Sequence, residues 1–308
     1  MIAVEDIAYV RYQAPDLDLA QTFLTDFGLT TALRKDDVLY MRGVGVQSFV
    51  HVTQRGETPA CLGFGLKAQN KDDLHKLAAE LGARVEDNPE PGGGYRVTFA
   101  DPAGYSVDVL WGSEEQRPLP ARPPLSTNFG PSRGRRGRTV RLDPGPSHVL
   151  RLGHVVLRVP SFNTSYDFYA RLLGFQISDS YFVGEPDHTV AAFMHAGLGK
   201  RYSDHHTIAL LESPLSGFDH SAFEVLDWDD LVVGNEHLRN KQYRHSWGIG
   251  RHIHGSQVFD YWRDPFGFKV EHWTDGDLVN EDYLRSHEHF APERLAQWSP
   301  PLPEDFLA

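Results

Sequence analysis

Apolar positions along the chain follow two alternating periods, and the order of those periods specifies the elements. The run LGHVVLRVP predicts a strand, and the segment after it, SFNTSYDFYARLLGF, sets Tyr166, Tyr169, Leu172 and Leu173 on one helical stripe, with Ser161 as N-cap and Gly174 as stop. HHTIALLE reads as a further strand. HSAFEVLDW, DDLVVGNEHLRNKQ, SQVFDYW and GFKVEHW then give strand, helix, strand and strand, the last two joined by an RDPF turn. The first part of the chain carries a similar succession, so the expected fold class is α+β, with four βαβββ modules in two tandem domains.

The two halves agree in spacing as well as in order. Tyr9 precedes Pro15 by six residues and Pro15 precedes Phe23 by eight; His154, Pro160 and Phe168 repeat both intervals. Asp101 to Asp108 in DPAGYSVDVLW and Asp264 to Glu271 in DPFGFKVEHW are each seven steps, and Asp-Pro-x-Gly is a turn signal feeding a strand. Aligning GFGL at Phe64 with AFEV at Phe223 sets Cys61 opposite His220. Between the halves, a stretch dense in Pro, Gly, Ser and Arg lacks either period. The expected organisation is therefore a paired-module N-terminal domain at 1–112, a linker at 113–150, a C-terminal domain at 151–273 and a tail at 274–308.

Composition narrows the function classes. The 308 residues fit about two domains, and 40% hydrophobic with 23% charged residues is ordinary for a globular protein. No apolar run approaches a membrane span, and Glu5 and Asp6 interrupt the segment that a signal peptide would need, so a cytoplasmic protein without membrane attachment is expected. A single Cys61 excludes an internal disulfide and a cysteine-based zinc cluster. The net charge of -12 disfavours nucleic acid, and the basic run Arg133 to Arg141 reads as part of the solvated linker.

Histidine is the exception to an ordinary composition, with thirteen of the sixteen at or after His154. Of these, His154 and His220 fall on predicted strands with Glu271, whereas the first half has Tyr9, Cys61 and Asp108 at the matching positions. Two imidazoles and a carboxylate can cap one face of an octahedral ion and leave three positions open, a set suited to non-haem Fe(II) and dioxygen. A symmetric structural role would not place the histidines in only one half.

The segments LGHVVLRV, HHTIALLE, DHSAFEV and GRHIHGSQVFDYWRDPFGFKVEHW resemble the type I extradiol ring-cleaving dioxygenases of the vicinal oxygen chelate superfamily. The resemblance implies a silent N-terminal domain and a catalytic C-terminal domain, with Fe(II), or occasionally Mn(II), on His154, His220 and Glu271. It makes His206, fourteen residues before His220, the acid/base, and His252 and Tyr261 the pair that contacts the catechol oxygens. His254 is a substrate-contact candidate where some relatives carry a small polar residue, and Phe193 and Trp247 are candidate aromatic walls. His205 points to the opposite face from His206 if the strand is regular. The implied partners are a catechol-type aromatic diol and dioxygen, both oxygen atoms entering a 2-hydroxymuconate semialdehyde-type product, and the implied assembly is a homo-oligomer. The tail would cover the cavity mouth. Two other readings are a glyoxalase-like metal-dependent isomerase or lyase, which usually needs a second carboxylate ligand, and a metal-free small-molecule sequestration protein.

Overall fold

Four βαβββ modules form in the computed structural model, which describes residues 2–123 and 125–307. The first runs Val4–Ala14, helix Leu17–Asp26, Thr30–Lys35, Val38–Arg42 and His51–Arg55; the second runs Ala60–Ala68, helix Lys71–Leu81, Glu86–Asp87, Tyr95–Ala100 and Ser106–Trp111. In the second half the third module is Val149–Val159, helix Phe162–Leu173, Phe175–Phe182, Thr189–Ala196 and Ile208–Glu212. The fourth is Gly217–Val225, helix Trp228–Asn240, Arg244–His252, Val258–Arg263 and Lys269–Thr274.

Local chemistry sets the helix boundaries. The side chains of Asp16, Asn70, Ser161 and Asp227 each accept a backbone N–H of the first turn, satisfying donors that the helix itself leaves unpaired. Gly174 ends the Phe162–Leu173 helix in the left-handed conformation, as the stop signal predicts. The two Asp-Pro turns share one geometry: Asp101 accepts from the amides of Ala103 and Tyr105, Asp264 from those of Phe266 and Phe268, and each turn closes on a glycine with φ of +94°.

Each half builds one sheet. In both, the first strands of its two modules lie antiparallel at the centre, and each has the last strand of its own module on its other side, parallel to it. The first half gives eight strands and the second ten, because the tail adds Ser286–His289 beside Phe175–Phe182 and Ala296–Trp298 beside Arg244–His252. One hydrophobic cluster runs through both halves, from Ile2 and Phe27 to Leu172 and Val270. Polar contacts cross the same seam: His272 donates to the carbonyl of Phe27 at 2.7 Å, and Tyr169 donates to Asp101 at 2.7 Å.

The strand predicted from HHTIALLE is shorter than the sequence pattern implies. Regular pairing begins only at Ile208, and His205 and His206 lie in an irregular bend after Ser203–Asp204. Strand alternation therefore does not separate the two rings, and both are buried, with their Nδ1 atoms 3.1 Å apart.

Candidate metal centre and its cavity

Three neighbouring strands at the middle of the ten-stranded sheet set the site. His154 on Val149–Val159 pairs with Ala222, and Ala222 pairs with Glu271 on Lys269–Thr274, so both side chains emerge in one row across the sheet. His220 stands two residues before Ala222, and residues i and i+2 of a strand share a face. The consequence is convergence: one ligating atom from each of His154, His220 and Glu271 falls within 4.8 Å of the others. Among the described residues this is the one such group of three His, Cys, Asp or Glu.

The donor set fits a divalent ion. His154 Nε2 and His220 Nε2 each lie 3.3 Å from Glu271 Oε2, yet both oxygens of the fully buried Glu271 and His220 Nε2 have no hydrogen-bond partner. A buried carboxylate left in that condition is costly, and a cation between the three groups removes the cost. His220 Nδ1 is bonded to Asp219 Oδ1 at 2.7 Å, which fixes the ring with Nε2 toward the centre. Asp219 is held in turn by Arg158 and by the buried Lys269. Burial opposes ionisation of Glu271, but His154 and His220 outweigh it and hold the carboxyl well below its usual range. At His154 burial wins and favours the neutral ring. At His220 burial is overcome by Asp219 and Glu271.

Above this floor lies a cavity of about 300 Å³. His206, His252, His254, Phe193, Trp247 and Tyr261 all line it with His154 and His220, so the structure brings every site residue expected from the sequence to one place, with Glu271 buried beneath. The His206 and His154 rings stand 4.1 Å apart between centroids. Tyr261 is paired with Glu271 across adjacent strands, and its hydroxyl donates to His252 Nε2 at 2.9 Å, while His252 Nδ1 donates to the carbonyl of Leu295 at 2.8 Å. Burial lowers the His252 pKa to about 4 and raises that of Tyr261 well above 10, so His252 is neutral and Tyr261 keeps its proton. Burial and the neighbouring His154 likewise keep His206 neutral. The tail completes the wall with Phe290, Leu295, Phe306 and Leu307.

Sequence reasoning passed over Asp179 and His205. His205 Nε2 lies 2.7 Å from Asp179 Oδ2, and the same carboxylate receives Tyr283 Oη at 3.0 Å and the Ser286 amide at 2.6 Å. The adjacent pair of histidines was the only available signal, and strand alternation argued against it.

The equivalent place in the first half is filled. Tyr9 pairs with Gly65 and Gly65 with Asp108, the counterparts of His154, Ala222 and Glu271. By the same register, the residue opposite Arg11 is Gly63, as the residue opposite Val156 is His220. Gly63, not Cys61, is thus the counterpart of His220. The apolar letters at Phe64 and Phe223 align two residues out of step with the hydrogen-bond ladder. Tyr9 donates to Asp108, Thr98 donates to the other carboxylate oxygen, and Arg11 reaches the Tyr9 hydroxyl, so the carboxylate is occupied by the protein itself.

Residues 151–272 match the model of the Glyoxalase/Bleomycin resistance protein/Dioxygenase superfamily. Metapyrocatechase 2 of Cupriavidus necator is 32% identical over 308 residues, covering 99% of this chain and 92% of that protein. An iron-dependent extradiol dioxygenase of Rhodococcus jostii is 27% identical, covering 94% and 95%. Among solved structures, a Mn(II)-bound glyoxalase from Novosphingobium aromaticivorans superimposes with a TM-score of 0.79 at 24% identity, covering 99% of this chain and 95% of that one.

Proposed function

Because this chain belongs to the extradiol ring-cleaving dioxygenases of the glyoxalase/bleomycin resistance protein/dioxygenase superfamily, we propose that His154, His220 and Glu271 hold Fe(II), with Mn(II) as an alternative occupant, and that the cavity above them receives the diol. The reaction is cleavage of a catechol-type aromatic ring beside its hydroxyls by dioxygen. The convergence of two neutralisable imidazoles and one carboxylate at the floor of an aromatic-walled cavity carries this reading. When bound, the ion supplies a Lewis-acid centre and one-electron redox chemistry for the diol and dioxygen.

The remaining work falls to the chain. His206 is neutral and its Nδ1 is engaged by His205, so Nε2 is the atom that takes a proton from a diol hydroxyl and later returns it. The Tyr261 hydroxyl, committed as a donor to His252 Nε2, offers its oxygen lone pairs to the other diol hydroxyl and orients the ring. Phe193 and Trp247 add aromatic wall that excludes water from the cavity. No Lys or Arg appears among the described lining residues, whereas Asp219 and Glu212 do, so the cavity favours a diol whose ring substituent is uncharged. On this reading residues 151–273 form the catalytic domain, with the tail as part of its wall, and residues 1–112 form a non-catalytic partner.

An isomerase of the glyoxalase kind would need a second carboxylate at the ion. The Glu212 carboxylate is taken by the Phe162 amide and His188, and Asp219 by His220, Arg158 and Lys269. The test is oxygen uptake by the Fe(II)-loaded protein with catechol, 2,3-dihydroxybiphenyl and a carboxylated catechol. The reading expects uptake with the uncharged diols and at least about tenfold lower kcat/KM for the anionic one, roughly 1.4 kcal/mol. Metal binding without oxygen uptake on any diol would sink it.

A further inference from the structure

We propose that His205 is a positioning residue for the cavity-facing imidazole: a chain of hydrogen bonds from Asp179 through His205 to His206 fixes His206 as the tautomer that presents an unprotonated Nε2 to the substrate. Asp179 Oδ2 can only accept, so the 2.7 Å contact makes His205 Nε2 the donor. In the proposed chain His205 carries its ring hydrogen on Nε2 and offers the lone pair of Nδ1. That atom is 3.1 Å from His206 Nδ1, which must therefore carry the hydrogen, leaving Nε2 of His206 bare. The carboxylate is firmly held, because Oδ1 accepts the Ser286 amide while Oδ2 accepts from Tyr283 and lies 3.3 Å from His254 Nδ1. All members are buried, Asp179 at 1% and His205 at 0% exposure, so water does not compete for these bonds.

The inference rests on the proposed role of His206 in proton transfer, but its primary readout does not. In full-length Zn(II)-loaded protein, nitrogen-15 correlation spectra of the histidine rings, assigned through His206→Gln, should show His206 protonated at Nδ1. Asp179→Asn should invert the chain, since Nδ2 in place of Oδ2 donates to His205 Nε2, pushes the hydrogen of His205 to Nδ1, and makes His206 the Nε2-protonated tautomer. With Fe(II), His205→Phe should lower kcat about 10–100-fold while KM and metal content stay within about twofold. His205→Asn, whose Oδ1 can stand in for Nδ1, should restore most of that loss. If His205→Phe fails to fold, the tautomer switch in Asp179→Asn decides. An Nε2-protonated His206 in the wild type, no switch in Asp179→Asn, or equal kcat for His205→Phe and His205→Asn would overturn the proposal. If the wild type shows the expected tautomer but turns over no catechol, the proposed function fails while this inference stands.

Discussion

The His206 ring stands between the proposed metal ligand His154 and Phe193, with Nδ1 against His205 and Nε2 left for the substrate. His206→Ala should therefore cut kcat by about 10²- to 10⁴-fold with iron content unchanged, measured by oxygen uptake and metal analysis on the same preparation. Tyr261→Phe removes the hydroxyl that donates to His252 and is proposed to meet the diol, and should cost about tenfold or more in kcat/KM. That His154, His220 and Glu271 converge was legible from their places on strands, and that His206, His252 and Tyr261 share their cavity was implied by the resemblance of the segments that carry them. His205 was not legible, because alternation presumes a regular strand and the backbone bends there. Gly63 was missed for a related reason: similar apolar letters can align while the ladder that fixes their facing is shifted.

At the level of elements, the modules were readable from the hydrophobic periods, the Ser161 cap, the Gly174 stop and the repeated Asp-Pro turns, the last three acting within a few residues. The tail was not readable in the same way. Its strands Ser286–His289 and Ala296–Trp298 are four and three residues long, too short for a period, and they owe their form to the sheet edges that they join. Their effect on the site is nevertheless direct. Phe306 is buried against Trp247 and Tyr261, and its carbonyl accepts a hydrogen bond from the buried Lys269. Phe306→Ala should cost about 3 kcal/mol in denaturant unfolding and raise KM for the diol, since it opens the cavity wall. Unchanged stability with unchanged KM would show that the tail is not part of the wall.

For the whole molecule, duplication has left one half able to hold an ion and the other sealed by its own side chains. Tyr9, Gly63 and Asp108 supply one free donor fewer than a site needs, and Asp108 is already bonded, so metal analysis should find one ion per chain, and Tyr9→His should not add a second. The seam between the halves also sets a pH dependence. His51 packs against Tyr12 and Phe223, and burial lowers its pKa from 6.5 to about 3. The unfolded chain binds this proton more tightly, so the stability is fully present above pH 6.5 and is lost as pH falls toward 3. Between pH 7 and pH 5 the loss is about 2 kcal/mol from this residue, and His51→Leu should remove that part of the slope in urea unfolding. The most direct test of the account as a whole is anaerobic loading with Fe(II) followed by a catechol in air. One dioxygen consumed per ring with a visibly absorbing product, and neither iron nor uptake in Glu271→Gln, is the predicted result. Stoichiometric iron on His154, His220 and Glu271 with no oxygen consumed on any catechol would contradict it.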